Sequence, residues 1–276
     1  MNATDKPTVP VDTLLALFGA ERSELPAIAQ LNQWARQWQT HWQGPQFVAE
    51  QSVELTNRYY EVFIAEEQKV PTREHNWHDA YNALMWIVFP RAKQLLNQWH
   101  CDEIARFGVH PRSPRRNRLT HFDECGVVIA VPEGQLEAAN DCLQQLANHQ
   151  WQKVFIDSQQ VWGELLHPAI FGHALYEMLM APFIGLTGKW LAVVVPAEFA
   201  AQSIQQQYAM LDEALVKRLT LFDGLADKRT LKPLPLLGVP GWYHQQTAAF
   251  YSNTDYFRPL TQNAPATNQL PLTTVN

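Results

Sequence analysis

The chain has 276 residues and a formal net charge of -6, with 46% hydrophobic and 17% charged residues. That is enough apolar material for a packed core in one or two domains, so intrinsic disorder and collagen-like or disulfide-stapled architectures are excluded as overall descriptions. The acidic balance argues against a protein that holds nucleic acid by bulk electrostatics, and no apolar run approaches the roughly 20 residues of a membrane-spanning helix.

Residues 1–12 are polar, carry two prolines and are expected to form a flexible tail. Ile28, Leu31, Ala35, Trp38 and Trp42 recur at spacings of three and four, which predicts a helix over about 25–43. A second helix is expected near 54–67, burying Leu55, Tyr59, Val62 and Phe63. Thr72 is the expected N-cap of a third over about 73–88, and Pro90 should kink or restart it before it runs on to about His100. Residues 101–118, with two prolines and Arg112, Arg115, Arg116 and Arg118, read as a long exposed loop. Its arginines are either solvated or able to grip an anion. Leu119–Phe122 and Gly126–Val131 read as a hairpin turned by Asp123, Glu124, Cys125 and Gly126, with Gly126 supplying the positive φ.

Further helices are expected over about 134–149, 168–181 and from Pro196 to about Phe222, with a strand at Trp190–Val195. Residues 232–259, rich in proline and aromatics, read as ordered irregular chain, and 261–276 as a second flexible tail. No linker divides the sequence. The expected fold is α+β, predominantly α-helical: one domain over 13–260, with a small sheet formed by the hairpin at about 119–131 and the strand at about 190–195. Cys101, Cys125 and Cys142 are odd in number and irregular in spacing, and the N-terminus lacks a basic and then apolar leader pattern, so free thiols in a cytoplasmic protein are expected.

The informative residues are polar ones on apolar backgrounds. From Ala80 to Phe89 the third helix is apolar on nearly all sides, which marks it as central. Yet His75, His78, Asp79 and Asn82 form a polar stripe on its first turns, facing either a cavity or a hydrogen-bond network. His173 and Glu177, four apart on another apolar helix, repeat the pattern, so that the carboxylate can orient the imidazole. The two sets are expected to converge within about 8 Å, because one shared site compensates both at once. Asp123 and Glu124 are either hairpin-turn residues or carboxylates presented to the same cavity. No glycine-rich phosphate loop, nucleophile elbow or His-Glu-x-x-His is present, which removes kinase, Rossmann dehydrogenase and serine hydrolase readings.

VPTR at 70–73, NWHD-x-x-NAL-x-W-x-x-FP-x-x-K at 76–93, FDE-x-G at 122–126, FGHAL-x-E at 171–177, PLP-x-LGVPGW at 233–242 and FRP at 257–259 together resemble a bacterial family, domain of unknown function 3025. The resemblance spans most of the chain and points to His78, Asp79, Asn82, Asp123, Glu124, His173, Glu177 and Arg258, while His75 and His121 fall outside its pattern. It implies no established activity. The His78-Asp79 doublet is also similar to that of metal-dependent HD phosphohydrolases, although the continuation Ala-Tyr-Asn departs from theirs.

The leading functional expectation is a metal-dependent hydrolase. His78, Asp79 and His173 would ligate a divalent Zn, Mn or Fe ion, with Glu177, Asp123 and Asn82 as catalytic groups around a small-molecule ligand. Without a metal, the same residues could run acid–base chemistry. The alternative is a non-catalytic binding or scaffold protein whose stripes are closed networks fixing helix register.

Overall fold

The computed structural model describes residues 10–53 and 58–274. Helix α1, Pro10–Ala16, buries Val11, Leu14 and Leu15, so residues 10–12 belong to the packed body rather than to a tail. Helix α2, Ile28–Trp38, buries Leu31, Trp34 and Ala35 as its spacing requires. Strand β1, Gln46–Ala49, pairs in parallel with β2, Lys69–Thr72, and helix α3, Tyr60–Glu67, connects them. Leu55 lies outside the described residues. Thr72 is no helix cap: it is buried in the β2 ladder opposite Ala49. The cap of α4, Trp77–Val88, is Asn76, whose side-chain oxygen accepts the Asp79 N–H at 2.9 Å. His75 therefore precedes the helix, at φ 59°, and leaves the expected stripe.

Pro90 opens helix α5, Pro90–Phe107, at the first position, where its missing N–H has no partner to lose. Asp212 accepts the N–H groups of Arg91 and Ala92 at 3.0 and 2.9 Å, setting a carboxylate against that helix N-terminus. The helix runs past the expected end at His100 into the stretch read as loop.

The largest correction comes next. Pro114–Cys125 is a helix, α6, capped by Ser113, which accepts the Arg116 N–H at 3.1 Å, with Pro114 in the first turn. Leu119 and Phe122, three apart, are both fully buried while His121 between them is exposed. That period suits a helix; a strand would send the two to opposite faces. The 119–131 hairpin therefore does not exist, Gly126 has φ −70° rather than a positive value, and Asp123 and Glu124 sit in the last turn of α6. Nor is the arginine run merely solvated, although Arg112 is exposed. Arg116 is fully buried over the Tyr59 ring, Arg112 donates to the Tyr59 hydroxyl, and Arg118 donates to the carbonyl of Leu225.

Strand β3, Gly126–Pro132, is buried along its whole length, which explains its unbroken apolar run. After helix α7, Leu136–Ala147, strand β4, His167–Ile170, pairs antiparallel with β3. The helix expected over 168–181 is thus only its second half, α8, His173–Met180. Strand β5, Thr187–Val195, lies parallel to β3 in the register Val127↔Trp190. Helix α9, Ile204–Leu221, starts from a Ser203–Gln206 capping box. Strand β6, Lys232–Pro235, pairs antiparallel with β5, completing a sheet of order β4-β3-β5-β6. The strands are therefore not confined to the two expected stretches. Helix α10, Ala248–Tyr251, is a single turn.

Residues after 260 also pack. Gln269 is buried, accepting from the Ala192 N–H and donating to the Trp190 carbonyl, and buried Leu272 exchanges two hydrogen bonds with Asn140. One continuous apolar cluster runs from Val11 to Leu272, and the architecture is α+β and mainly helical. No described helix is long and apolar enough to cross a membrane.

Candidate active site

Helices α4 and α8 pack against each other, with Tyr81 stacked on Tyr176 at 5.5 Å between ring centroids. This contact turns the two polar sets toward one another. His78 and His173 place their Nε2 atoms 3.1 Å apart, well inside the expected 8 Å. On the outer side of His78, Glu177 Oε2 lies 2.9 Å from Nδ1. On the inner side, Nδ1 of His173 lies 2.8 Å from the backbone carbonyl of Asp123. That bond exists because α8 begins against the end of α6: a Cβ on Gly172 would stand 2.4 Å from the Glu124 carbonyl oxygen, so only glycine admits the approach.

Hydrogen-bond arithmetic assigns the protons. The Asp123 carbonyl only accepts, so His173 donates from Nδ1 and offers the Nε2 lone pair. Burial pushes the His173 pKa down to about 3, keeping that ring neutral. His78 must then donate from Nε2. Its Nδ1 faces the Glu177 carboxylate, which also only accepts.

The remaining residues form two closed sets. Asp79 accepts from the Arg73 guanidinium at 2.8 and 3.0 Å and from the Arg73 backbone N–H at 2.7 Å. Burial pushes its carboxyl up, but Arg73 outweighs this and holds it below the usual range. In the second set, Lys93 Nζ donates to Asp123 Oδ1 at 2.5 Å and to Asn82 Oδ1 at 2.9 Å, and the Asn82 amide donates to the Tyr60 hydroxyl at 3.2 Å. Burial again pushes the Asp123 carboxyl up, and the Lys93 ammonium brings it below the ordinary value. Burial, reinforced by Asp79 and Asp123, raises Tyr60 so far that it stays a phenol.

These groups line a cavity of about 300 Å³, walled by His78, Asn82, Lys93, Asp123 and His173 at one end and by Glu61 and His100 among others. Glu124 also lines it, whereas Glu177 and Arg258 do not. Glu177 is held behind His78 and acts on the cavity only through that ring. Sequence reasoning missed Arg73, Tyr60, Glu61, Lys93 and His100. For Lys93, Asn97 and His100 a signal was present: spacings of four and three on the face of α5 that also buries Leu96. Tyr60 and Glu61 carried none.

The expected metal ligands do not assemble. The two histidines converge, but Asp79 is committed to three donors from Arg73, and no group of three or more His, Cys, Asp and Glu side chains among the described residues is placed to hold a metal ion.

The depressed pKa of His173 makes a stability prediction. Below about pH 6.5 the unfolded chain protonates this residue, while the native state resists until about pH 3, so its contribution is intact near neutrality and is lost on acidification. Asp212, raised to about 6 by burial, acts in the opposite sense, so the effect must be read as a difference between proteins. Relative to a His173→Gln variant, the wild type should lose up to about 1.4 kcal/mol per pH unit between pH 6.5 and 4.5. Urea titrations of both proteins at several pH values measure it, and parallel curves would refute the assignment.

A family model described as "Protein of unknown function (DUF3025)" matches residues 45–261. No curated protein and no solved structure gives a match.

Proposed function

The chain belongs to the DUF3025 family of proteins of unknown function, and we propose that it is an enzyme that transfers protons to and from a small polar substrate bound in the cavity, with hydrolysis by water as its reaction class. The observation that carries this reading is the hydrogen-bonded string Glu177–His78–His173–Asp123 carbonyl along the cavity wall. His78 is the proton carrier. Glu177 fixes its ring, as a carboxylate does for a catalytic imidazole. In the free protein His173 accepts the Nε2 proton of His78; a leaving-group oxygen of the substrate displaces it as acceptor and receives that proton, and the His78 Nε2 then takes one proton from the attacking water, so that the ring ends as it began.

Asp123 and Asn82 enter as positioning residues, because Lys93 ties their side chains together at the cavity wall. Among the described residues no serine or cysteine lines the cavity, and the Thr120 hydroxyl there donates to the Arg116 carbonyl, which favours water over a covalent nucleophile. No step is routed through a metal, since no donor set for one forms among the described residues. The three free thiols, each with its pKa raised by burial, support a cytoplasmic setting.

A panel of chromogenic esters, amides and glycosides, assayed with wild type, His78→Ala and Glu177→Gln, tests the reading. Loss of the general acid–base group should lower kcat/KM by roughly 10²–10⁴. Losing its orienting carboxylate should cost about 10–100-fold. Both side chains are partly exposed, at 29% and 48%, so the thermal midpoints should hardly move. No His78-dependent turnover on any panel member would favour the scaffold reading, to which the saturated Asp79–Arg73 and Lys93–Asp123 pairs lend themselves.

A further inference from the structure

Away from His78, the cavity is walled by α3 and α5, and its polar groups there are unlike those already described. Nδ1 of His100 and Oε2 of Glu61 are both buried and have no hydrogen-bond partner among the described residues, and the nearest approach between the two side chains is 3.7 Å. His100 itself is only 5% exposed. Behind them, the fully buried Arg116 guanidinium has Nε and Nη2 unpartnered as well, and its charge acts on the Glu61 carboxyl. Buried polar atoms are nearly always satisfied, because each orphan forfeits its hydration. Four orphans in one neighbourhood, two of them on residues that line the cavity, are the mark of a place built for a group from outside.

Their chemistry restricts that group. Glu61 requires a donor, which a carboxylate or a fully ionised phosphate does not supply, and a further anion would meet the Glu61 carboxylate itself. Arg116 and the lowered basicity of His100, whose pKa burial takes down to about 4, disfavour an ammonium. A hydroxyl both donates and accepts. We propose that Glu61 and His100 form a recognition subsite for a neutral hydroxyl group of the substrate, so that the cavity takes a polyol or sugar-like molecule rather than a phosphorylated or carboxylated one. The proposal rests on the cavity being the substrate site of the proton-transfer reading, and it supplies that reading's substrate class.

The subsite can be tested without turnover. In [15N]histidine-labelled His78→Ala protein, xylitol, D-ribose and methyl β-D-glucoside are titrated while the ring nitrogens of His100 are followed by NMR; inorganic phosphate and acetate serve as contrasts. At least one neutral probe should shift Nδ1 of His100 saturably, and the two anions should not. Adding Glu61→Gln to the His78→Ala background should weaken that binding at least tenfold while leaving the thermal midpoint equal or higher, since an unpartnered buried carboxyl is removed; a structural role for Glu61 would lower it. For the same neutral substrate in the His78-competent protein, Glu61→Gln should raise KM with little effect on kcat. Anions shifting Nδ1 more strongly than the neutral probes, or no probe shifting it at all, would overturn the subsite. Because binding is read in His78→Ala protein, that failure is separate from a failure of the proton-transfer reading, which appears only as turnover that does not depend on His78.

Discussion

Asp123→Ala is expected to destabilise the protein by about 3 kcal/mol, with a larger loss at neutral than at strongly acidic pH. The Lys93 side chain is 4% exposed and that of Asp123 23%, and Asp123 is the carboxylate partner of Lys93 among the described residues, at 2.5 Å. Removing one member of a buried pair costs about 3–5 kcal/mol because the other charge stays buried without its counter-ion. The lower end of that range applies here. Lys93 keeps its bond to Asn82, and its Nζ lies 5.5 Å from the centroid of the Trp86 ring, within cation–π range. Replacing both partners, as Asp123→Ala with Lys93→Met, should recover much of the loss, since no unpaired charge remains. Urea unfolding of the single and double variants gives the comparison; a single-variant loss below about 1 kcal/mol would show that the pair is not the strut assigned to it.

The second large effect is expected from Gly172→Ala, at about 3 kcal/mol or more. Overpacking usually costs about 1–3 kcal/mol, and it is cheapest when a flexible side chain can yield. At Gly172 the added methyl would meet the Glu124 carbonyl oxygen at 2.4 Å and the Cys125 backbone nitrogen at 2.5 Å, both fixed at the junction of α6 and β3. Relief requires α8 to move away from α6. That motion lengthens the bond from His173 Nδ1 to the Asp123 carbonyl and frees the imidazole from the tautomer that the site depends on. The variant should therefore show both a lowered urea midpoint and altered ring-nitrogen shifts for His173. An alanine protein of unchanged stability with unaltered shifts would mean that the close approach is not needed.

The segment around Asp123 also shows where local signals mislead. Asp123 to Gly126 looks like hairpin chemistry because the same residue types favour turns and helix ends. Only the burial of Leu119 with Phe122, which the α8 and β5 contacts create, decides that the segment is helical. Ser113-Pro114 is a helix-start pattern, a capping serine followed by a first-turn proline, set among prolines and arginines that signal a loop. The arginines show only their charge in the sequence, whereas their partners, among them Tyr59 and Leu225, come from distant parts of the chain.

What the sequence by itself determined is local and periodic: the apolar body of α4, the stripe of His78, Asp79 and Asn82, and the His173–Glu177 pair four residues apart. Period puts each set on one face, and burial cost acts on His173; the packing of α4 against α8 completes the meeting, with Glu177 left 48% exposed. What only the tertiary structure decided is which atoms pair. Asp79 is a metal ligand by type and spacing, yet Arg73, which follows β2, takes up both of its carboxylate oxygens although the two residues still line the cavity. Lys93, Glu61 and His100 joined the site because α5 crosses α3 and α4. Contacts between segments far apart in the chain depend on how whole elements pack, and no local periodicity encodes them.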